Sequence, residues 1–465
     1  MRRILQGTML ALSGFALTAC MTADPGNRPR VQGNNDVTAR QMARLPDTLP
    51  PMKAFSRPAK PRPKHANSVI AGDFLDLSFQ LESGRALPYF SRFESPVTLR
   101  VMGNAAPHMQ RDLDRLLQRI RTEAGINIRQ VKQQSPASIT LQVVSKRELQ
   151  RIVPNAACFV APNVTSWAEY KRARRTEKTD WTRLKIRTKM AIFLPGDVAP
   201  QEMRDCMHEE IAQALGPVND LYRLTNSVFN DDNFHTVLTG FDMLILRAYY
   251  APELRSGMTR DEVTSRLPAL LARINPSGGT GLPRKHPPAP RGWKRAIETA
   301  LGKGVPLHRR RAAANRAVAI ARAQGWRDTR LAYALFAKGR LALAANGQDA
   351  LEAFLEADRI YGSTTEASIQ SAHLGVQLAA FALSAGHAGE TIDIVNSHIV
   401  PVMEAENAAL LSTLLMIKAE ALEDVGRHAD AQLVRLDSLG WARYGFGSTA
   451  QVSARLREIA AISPG

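Results

Sequence analysis

Three glycines in the last third of the chain recur at an almost constant interval. Gly347, Gly386 and Gly426 lie 39 and 40 residues apart, and each separates an Ala- and Leu-rich stretch from a second apolar-periodic stretch. A fixed period of this length is typical of stacked helical hairpins, because each hairpin buries its apolar face only against its neighbours. The sequence therefore predicts an all-helical region over residues 291–465, with a plain helical bundle as the alternative.

These hairpins resemble tetratricopeptide-type repeats, although their period is longer than the usual repeat of about 34 residues. The resemblance implies a surface that binds protein partners, which in an exported chain would be proteins of the cell envelope. Residues 440–450 (GWARYGFGSTA) interrupt the pattern, and Val452–Ala461 is predicted to be a last, capping helix.

The amino terminus carries a charged pair and then a short, interrupted apolar stretch that ends in Leu17-Thr-Ala-Cys20. The stretch is too short for a membrane-spanning helix. It resembles a bacterial lipoprotein signal, which implies that residues 1–19 are removed and that Cys20 is lipidated. An ordinary secretory signal is the alternative. Met21 in place of an aspartate slightly favours the outer membrane by the same resemblance, so we expect a periplasm-facing lipoprotein.

Composition divides the rest of the chain. Residues 20–69 are a Pro-rich basic linker, residues 70–275 form a domain with both strands and helices, and residues 276–290 are a second linker. In the domain, periodicity predicts strands at 71–81, 96–102, 126–131, 139–144 and 190–194, and helices at 108–124, 200–215, 234–250 and 260–274. The predicted fold class is therefore α+β, followed by all-helical hairpins.

Two cysteines remain once Cys20 is set aside. Cys158 and Cys206 have no third competitor, and in an exported protein such a pair most simply forms one disulfide. Two buried free thiols are the alternative.

The stretch from Cys206 to Asp220 carries the densest pattern of chemical groups (CMHEEIAQALGPVND). It resembles the zinc-binding consensus of metzincin proteases, H-E-x-x-H-x-x-G-x-x-H, when it is read from Glu209. In this register the resemblance places Glu209, Gln213 and Asn219 at the ligand positions, Glu210 at the general-base position and Gly216 at the turn. Ser227 and Phe229 then resemble the Met-turn, with phenylalanine in place of methionine, and the domain is expected to be zincin-like.

The residue types do not suit catalytic zinc. Zinc prefers imidazole or thiolate ligands, whereas one carboxylate and two amides form a weak oxygen set that is better suited to a hard divalent cation such as calcium. His208 lies about 100° round the helix from Glu209, so it cannot replace it. The alternative interpretation is that Glu209, Gln213, Asn219 and Asp220 only bond the turn after the helix. No cofactor is expected.

The same residues, from Cys206 to Asp220 and from Ser227 to Asp231, resemble an uncharacterised family of proteobacterial lipoproteins, the domain of unknown function DUF2927. The resemblance covers roughly residues 70–275 and implies a fold but no activity.

The net charge of +18 is confined to a few segments. Residues 21–68, 166–190 and 284–311 carry +6, +6 and +8, so the remainder of the chain is nearly neutral. In the middle segment, Lys171, Arg172, Arg174 and Arg175 alternate with aromatic residues and could bind a polyanion, or could simply be solvated. Nucleic acid is a poor candidate in the periplasm.

These observations favour a lipid-anchored envelope protein with a degenerate peptidase-like domain, acting as a non-catalytic scaffold or interaction module. The alternative is a metal-dependent, peptidase-like hydrolase that uses Glu210 as its general base. The sequence does not indicate the oligomeric state.

Overall fold

The computed structural model describes residues 49–55, 65–154, 156–279, 289–364 and 366–463. The chain forms a mixed α+β region with one five-stranded sheet and then an all-helical region, so the coarse fold class is confirmed. The predicted signal peptide, Cys20 and most of the predicted first linker lie outside the described residues. None of the described helices combines the length and apolar character needed to span a membrane.

The α+β region contains the sheet strands and seven α-helices among its described residues. The strands are β1 (Val97–Met102), β2 (Ile128–Gln130), β3 (Ile139–Val144), β4 (Phe159–Pro162) and β5 (Met190–Pro195). The helices are α1 (Asn67–Ser78), α2 (Pro107–Glu123), α3 (Lys146–Ile152), α4 (Trp167–Ala173), α5 (Pro200–Leu215), α6 (Gly240–Tyr249) and α7 (Arg260–Ile274).

The strand order in the sheet is β2-β1-β3-β5-β4. The first four strands are parallel, while β4 is antiparallel to β5 and forms one edge. All six residues of β5 are buried, as expected for a central strand that is covered on both faces. Helix α5 packs against β4 and β5, so the motif helix lies next to the antiparallel edge strand.

One predicted strand in this region is a helix, and one strand was not predicted. The loose alternation of residues 71–81 predicted a strand, but the chain forms helix α1, because Ile70, Phe74 and Leu77 are buried together at helical spacing. Strand β4 was assigned to no element, because four residues that end in proline give little periodicity.

The helical region contains nine α-helices among its described residues. They are α8 (Arg291–Leu301), α9 (Leu307–Ala323), α10 (Thr329–Ala342), α11 (Gly347–Gly362), α12 (Ser368–Ser384), α13 (Ala388–Glu404), α14 (Ala408–Asp424), α15 (His428–Phe446) and α16 (Thr449–Ala460). Consecutive helices pack as antiparallel hairpins, most extensively α10 with α11, α12 with α13 and α14 with α15. The three marker glycines stand at the turns inside these hairpins.

The predicted interruption at 440–450 is wrong, because α15 continues to Phe446. Its glycines allow close packing instead of ending the helix. A Cβ atom on Gly445 would lie 2.5 Å from the backbone of Ala409, and one on Gly440 would lie 2.9 Å from the side chain of Lys53.

The loop that follows α5 joins the two regions. Phe234 stacks on His373 of α12 with a centroid distance of 4.5 Å, and Gln370 Nε2 donates a hydrogen bond to Thr225 O at 2.7 Å. A second contact comes from helix α5 itself, where Arg204 donates a hydrogen bond to the backbone oxygen of Glu406, between α13 and α14, at 2.8 Å. The first helices of the hairpins therefore face the α+β region, and α15, the second helix of the last hairpin, also packs against α5.

Candidate functional site

The motif helix α5 is tied covalently to the edge strand. Cys206 on α5 and Cys158, just before β4, form a disulfide with a Cα–Cα distance of 6.0 Å, so the predicted disulfide is confirmed. Cys206 is buried in the core that α5 shares with the sheet. The bridge holds β4 beside the helix face that carries Glu210.

Glu210 stands at the general-base position, but its carboxyl group contacts the fold. The residue is only 4 % exposed. Its carboxyl accepts a hydrogen bond from the backbone N–H of Val160 on β4, and its Oε2 has no partner. Burial raises the pKa of Glu210 well above its usual value, and the carboxylates of Glu209 and Glu82 raise it further. Burial and the neighbouring carboxylates therefore favour the neutral form of Glu210, whereas the hydrogen bond from Val160 favours the ionised form.

The first two proposed ligand positions lie one helical turn apart and contact each other. Gln213 Nε2 donates a long hydrogen bond of 3.5 Å to Glu209 Oε1, and both residues are half-buried. Burial raises the pKa of Glu209 to about 7, with a further contribution from the negative charges of Glu82 and Asp231.

The third position, Asn219, is held by backbone. Its Nδ2 donates to Asp76 O at 2.9 Å, while its Oδ1 has no donor although the residue is only 2 % exposed. Asp220 is 4 % exposed and its side chain is hydrogen-bonded to the carboxyl of Glu82. Burial raises the pKa of Asp220 well above its usual value, and the charge of Glu82 adds to the effect.

The turn and support residues have structural roles. A Cβ atom on Gly216 would lie 2.9 Å from the ring of Tyr249, so only glycine fits there. Ser227 Oγ donates to Asp242 and accepts from Phe229 N at 3.0 Å, which fixes the loop over the core. His208 Nδ1 accepts from Leu238 N at 3.1 Å, so this histidine is also structural.

The loop at Asn230–Asn233 is a turn, but it does not cap a helix. Asp232 Oδ1 accepts from Phe234 N at 3.0 Å, and the following helix begins only at Gly240. The capping residue of that helix is Thr239, which forms a capping box with Asp242. The predicted helix start at residue 234 is wrong, because Phe234 packs against the helical region instead.

Two contributors to this region, Glu82 and Arg187, carry no sequence signal that points to it. Glu82 lies in the turn after α1, yet its charge acts on Glu209 together with that of Asp231 from the loop after α5. Arg187 donates to the carbonyls of Gln213 at 2.6 Å and Ala214 at 2.9 Å, and so neutralises the C-terminal end of α5. These residues are brought together only by the tertiary fold.

The basic segment of residues 166–190 packs on the side of β4 that faces away from α5. Trp167 and Tyr170 stack with Phe159 and Phe193 in a small separate core, so they are not free to stack on a ligand. Lys171, Arg172 and Arg175 are exposed, Arg174 is half-buried, and Lys171 lies 3.6 Å from Glu148.

Over the described parts of the chain, no three or more His, Cys, Asp and Glu side chains form a group that could hold a metal ion. The donor set of Glu209, Gln213 and Asn219 contains neither imidazole nor thiolate, so it does not fit catalytic zinc.

Comparisons with known proteins identify the first region only. No curated protein and no solved structure matches the chain. Residues 67–269 match the model of a family described as a protein of unknown function, DUF2927, which spans α1 to most of α7. The DUF2927 assignment therefore applies to residues 67–269, the α+β domain, and does not extend to the helical region.

Proposed function

We propose that the protein is a lipid-anchored cell-envelope protein that acts as a non-catalytic scaffold or protein-interaction module. The observation that carries this proposal is the state of Glu210. A general base must be ionised and must reach a water molecule. The carboxyl of Glu210 is buried and bonded to Val160 N–H, and its burial disfavours the ionised form, so neither condition is favoured.

The arrangement of the domain supports a zincin-like origin. A mixed sheet has its antiparallel edge strand β4 next to the motif helix α5, and that helix ends at Gly216, where the motif places its glycine. The ligand positions are nevertheless occupied by a carboxylate and two amides. We therefore interpret the domain as a peptidase-like fold that has lost its metal chemistry.

The edge strand is also a poor platform for a peptide substrate. Asn163 N donates a hydrogen bond to Lys189 O, so residue 163 directs its backbone groups towards the neighbouring chain. In an antiparallel ladder every second residue directs its backbone N–H and C=O groups away from the neighbouring strand. In β4 these residues are Val160, whose N–H binds Glu210, and Pro162, which has no N–H. Strand addition needs free donors at such an edge.

The helical region supports the interaction role. We interpret its hairpins as tetratricopeptide-like, with the inner surface covered by the molecule's own α+β domain. The second helices of the hairpins carry exposed large apolar residues, which are Leu355, Val400, Met403, Leu433 and Leu436. An envelope protein partner would therefore bind the outer surface of the hairpins.

The proposal is tested by affinity purification of the full-length protein from solubilised membranes. We expect the wild type to fractionate with membranes, Cys20→Ala to become soluble, and one reproducible envelope protein to co-purify. Val400→Ser combined with Leu433→Ser should lose that partner, whereas Leu307→Ser, at a large apolar residue on α9 that is also exposed, should retain it. Recovery of no reproducible partner from the wild type would contradict the interaction role.

A further inference from the structure

Positive charge is concentrated in the first hairpin of the helical region. Helices α8 and α9, with the turn between them, carry nine Lys and Arg residues and one acidic residue over 291–323. The hairpin of α10 and α11 is neutral, the hairpin of α12 and α13 carries three acidic residues and no Lys or Arg, and the hairpin of α14 and α15 has a net charge of −1. The helical region is therefore strongly positive at one end only.

Three of these cations serve the packing of the hairpins. Arg310 donates a hydrogen bond of 2.8 Å to the carbonyl of Ala300 at the C-terminal end of α8, and Arg311 does the same at the C-terminal end of α10. Arg322 forms an ion pair with Glu356 of α11 at 2.7 Å. The structure of the hairpins accounts for these three charges, so they carry no further argument.

Three other arginines of the hairpin have no such use. Arg295, Arg309 and Arg316 are exposed, and among the described residues none of them has a carboxylate oxygen at ion-pair distance. We call these three residues the basic face. Their charges are available to a ligand from outside, since no intramolecular partner neutralises them.

The part of the basic face on α9 is flat. The exposed stripe of this helix is formed by Arg309, Ala312, Arg316, Ala319 and Ala323. Residues seven apart on a helix share a face, so the two arginines are separated by about 10 Å along the helix axis. The alanines between and beyond them leave no bulky side chain in the way of a broad, flat ligand.

The arginine on α8 joins the same surface. A Cβ atom on Gly292 would lie 3.8 Å from Ile320 Cδ1, and Arg310 binds the C-terminal end of α8, so the two helices run antiparallel in a known alignment. In this alignment Arg295 lies level with Arg316, and both are on the solvent side of the seam between the helices. The three guanidinium groups therefore form one surface that extends over both helices.

The proposed lipid anchor can bring this surface to a membrane. Leu49 follows Cys20 by 29 residues, and Arg443 of α15 donates to Pro50 O at 2.7 Å, so the linker ends against the last hairpin. A chain of that length reaches at most about 100 Å. Adjacent hairpins are separated by about 10 Å, so the distance from α15 to α8 is well within this reach.

We propose that the basic face binds the phosphate groups of anionic phospholipids and turns the first hairpin towards the membrane. The proposal deepens the envelope location proposed above and rests on it. Guanidinium groups bind phosphate oxygens through pairs of N–H donors. The same anionic surface repels the acidic hairpin of α12 and α13, so Val400 and Met403 of α13 point away from the membrane, where a protein partner can reach them.

The basic face assists the lipid anchor and does not replace it. Each basic residue near an anionic surface strengthens binding about fivefold, and salt screens the effect. Three such residues are too few for stable attachment without a second signal. The Cys20→Ala protein is therefore still expected to be soluble when cells are fractionated.

Co-sedimentation with vesicles tests the proposal on full-length protein that carries Cys20→Ala and cannot be lipidated. We expect binding at low salt to vesicles of phosphatidylglycerol and phosphatidylcholine in equal amounts, and none to phosphatidylcholine alone. Arg309→Gln combined with Arg316→Gln should weaken binding about twenty-fivefold, because two contributions of about fivefold are lost. Arg172→Gln combined with Arg175→Gln removes the same charge from two exposed arginines elsewhere and should bind as the parent protein does.

Three outcomes would overturn the proposal. Equal weakening by the two pairs of substitutions would show that binding follows net charge, and binding without preference for phosphatidylglycerol would show that headgroup phosphate charge is not recognised. Loss of the co-purifying envelope protein in Arg309→Gln with Arg316→Gln, with vesicle binding unchanged, would assign the face to an acidic protein. A failed lipid anchor is distinguished from these outcomes, because it makes the wild type soluble without changing the vesicle result.

Discussion

Replacing Cys158 and Cys206 together by serine should lower the free energy of unfolding by about 3–4 kcal/mol. The bridge closes a loop with a sequence separation of 48 residues, and the entropy that it removes from the unfolded chain grows with loop length. The bridge also holds β4 against α5. Without it, Val160 N–H should leave Glu210, which would leave a buried carboxyl with no partner.

Urea denaturation of the full-length protein, followed by far-UV circular dichroism, measures this effect. Wild-type protein unfolded in a reducing agent serves as the control, because it lacks the bond but keeps both sulfur atoms, and it should lose a similar amount. A loss below about 1 kcal/mol in both samples would show that the bridge does not constrain the unfolded chain as the loop length implies.

Replacing Glu209 by glutamine should stabilise the protein at pH 8 by about 1–2 kcal/mol and should have little effect at pH 4. The pKa of Glu209 is raised from 4.5 to about 7 by burial and by neighbouring carboxylates. The protonated carboxyl makes its full contribution to the stability of the fold below the pKa of the unfolded chain, near 4.5. This contribution is lost as the pH rises through the folded-state pKa of about 7. The variant lacks this loss, so its advantage appears only at high pH.

The measurement compares urea midpoints of wild type and variant at pH 4, 6 and 8. Glu177→Gln is a suitable control, since its carboxylate is exposed and should show no such pH-dependent gain. A variant that is less stable than the wild type at pH 8 would mean that Glu209 makes a favourable ionic contact, and that the negative charges of Glu82 and Asp231 do not dominate its surroundings. A gain at pH 8 fits a site in which stability is sacrificed for function.

Long periodic elements could be predicted from the sequence, whereas short or closely packed ones could not. Helix α5 was predicted over its full length, because Pro200 opens it and Gly216 ends it. The alternation from Leu75 onwards was misleading, since tertiary burial selected the helical spacing of Ile70 and Phe74. Gly440 was misleading as well, because it was interpreted as a break in the helical pattern although the helix continues through it. Its missing side chain leaves room for Lys53, which is distant in the sequence.

The candidate site, too, could be predicted only in part from the sequence. Glu209, Glu210 and Gln213 lie on one helix, so their relation followed from spacing alone. Glu82 precedes Glu209 by more than one hundred residues and shares no motif with it, so only the fold reveals that both act on Asp220. The burial of Glu210, which raises its pKa, was also beyond prediction, because it depends on packing beside β4, a strand that gave no periodic signal.

We propose above that the motif of α5 no longer binds a catalytic zinc ion. The most direct test is the metal content and peptidase activity of full-length protein purified without chelator. We predict less than stoichiometric zinc, no hydrolysis of a casein substrate, and no change in either value in Glu210→Gln. One zinc ion per chain that is lost in Gln213→Ala, together with hydrolysis that is abolished in Glu210→Gln, would contradict the claim and establish a metal-dependent hydrolase.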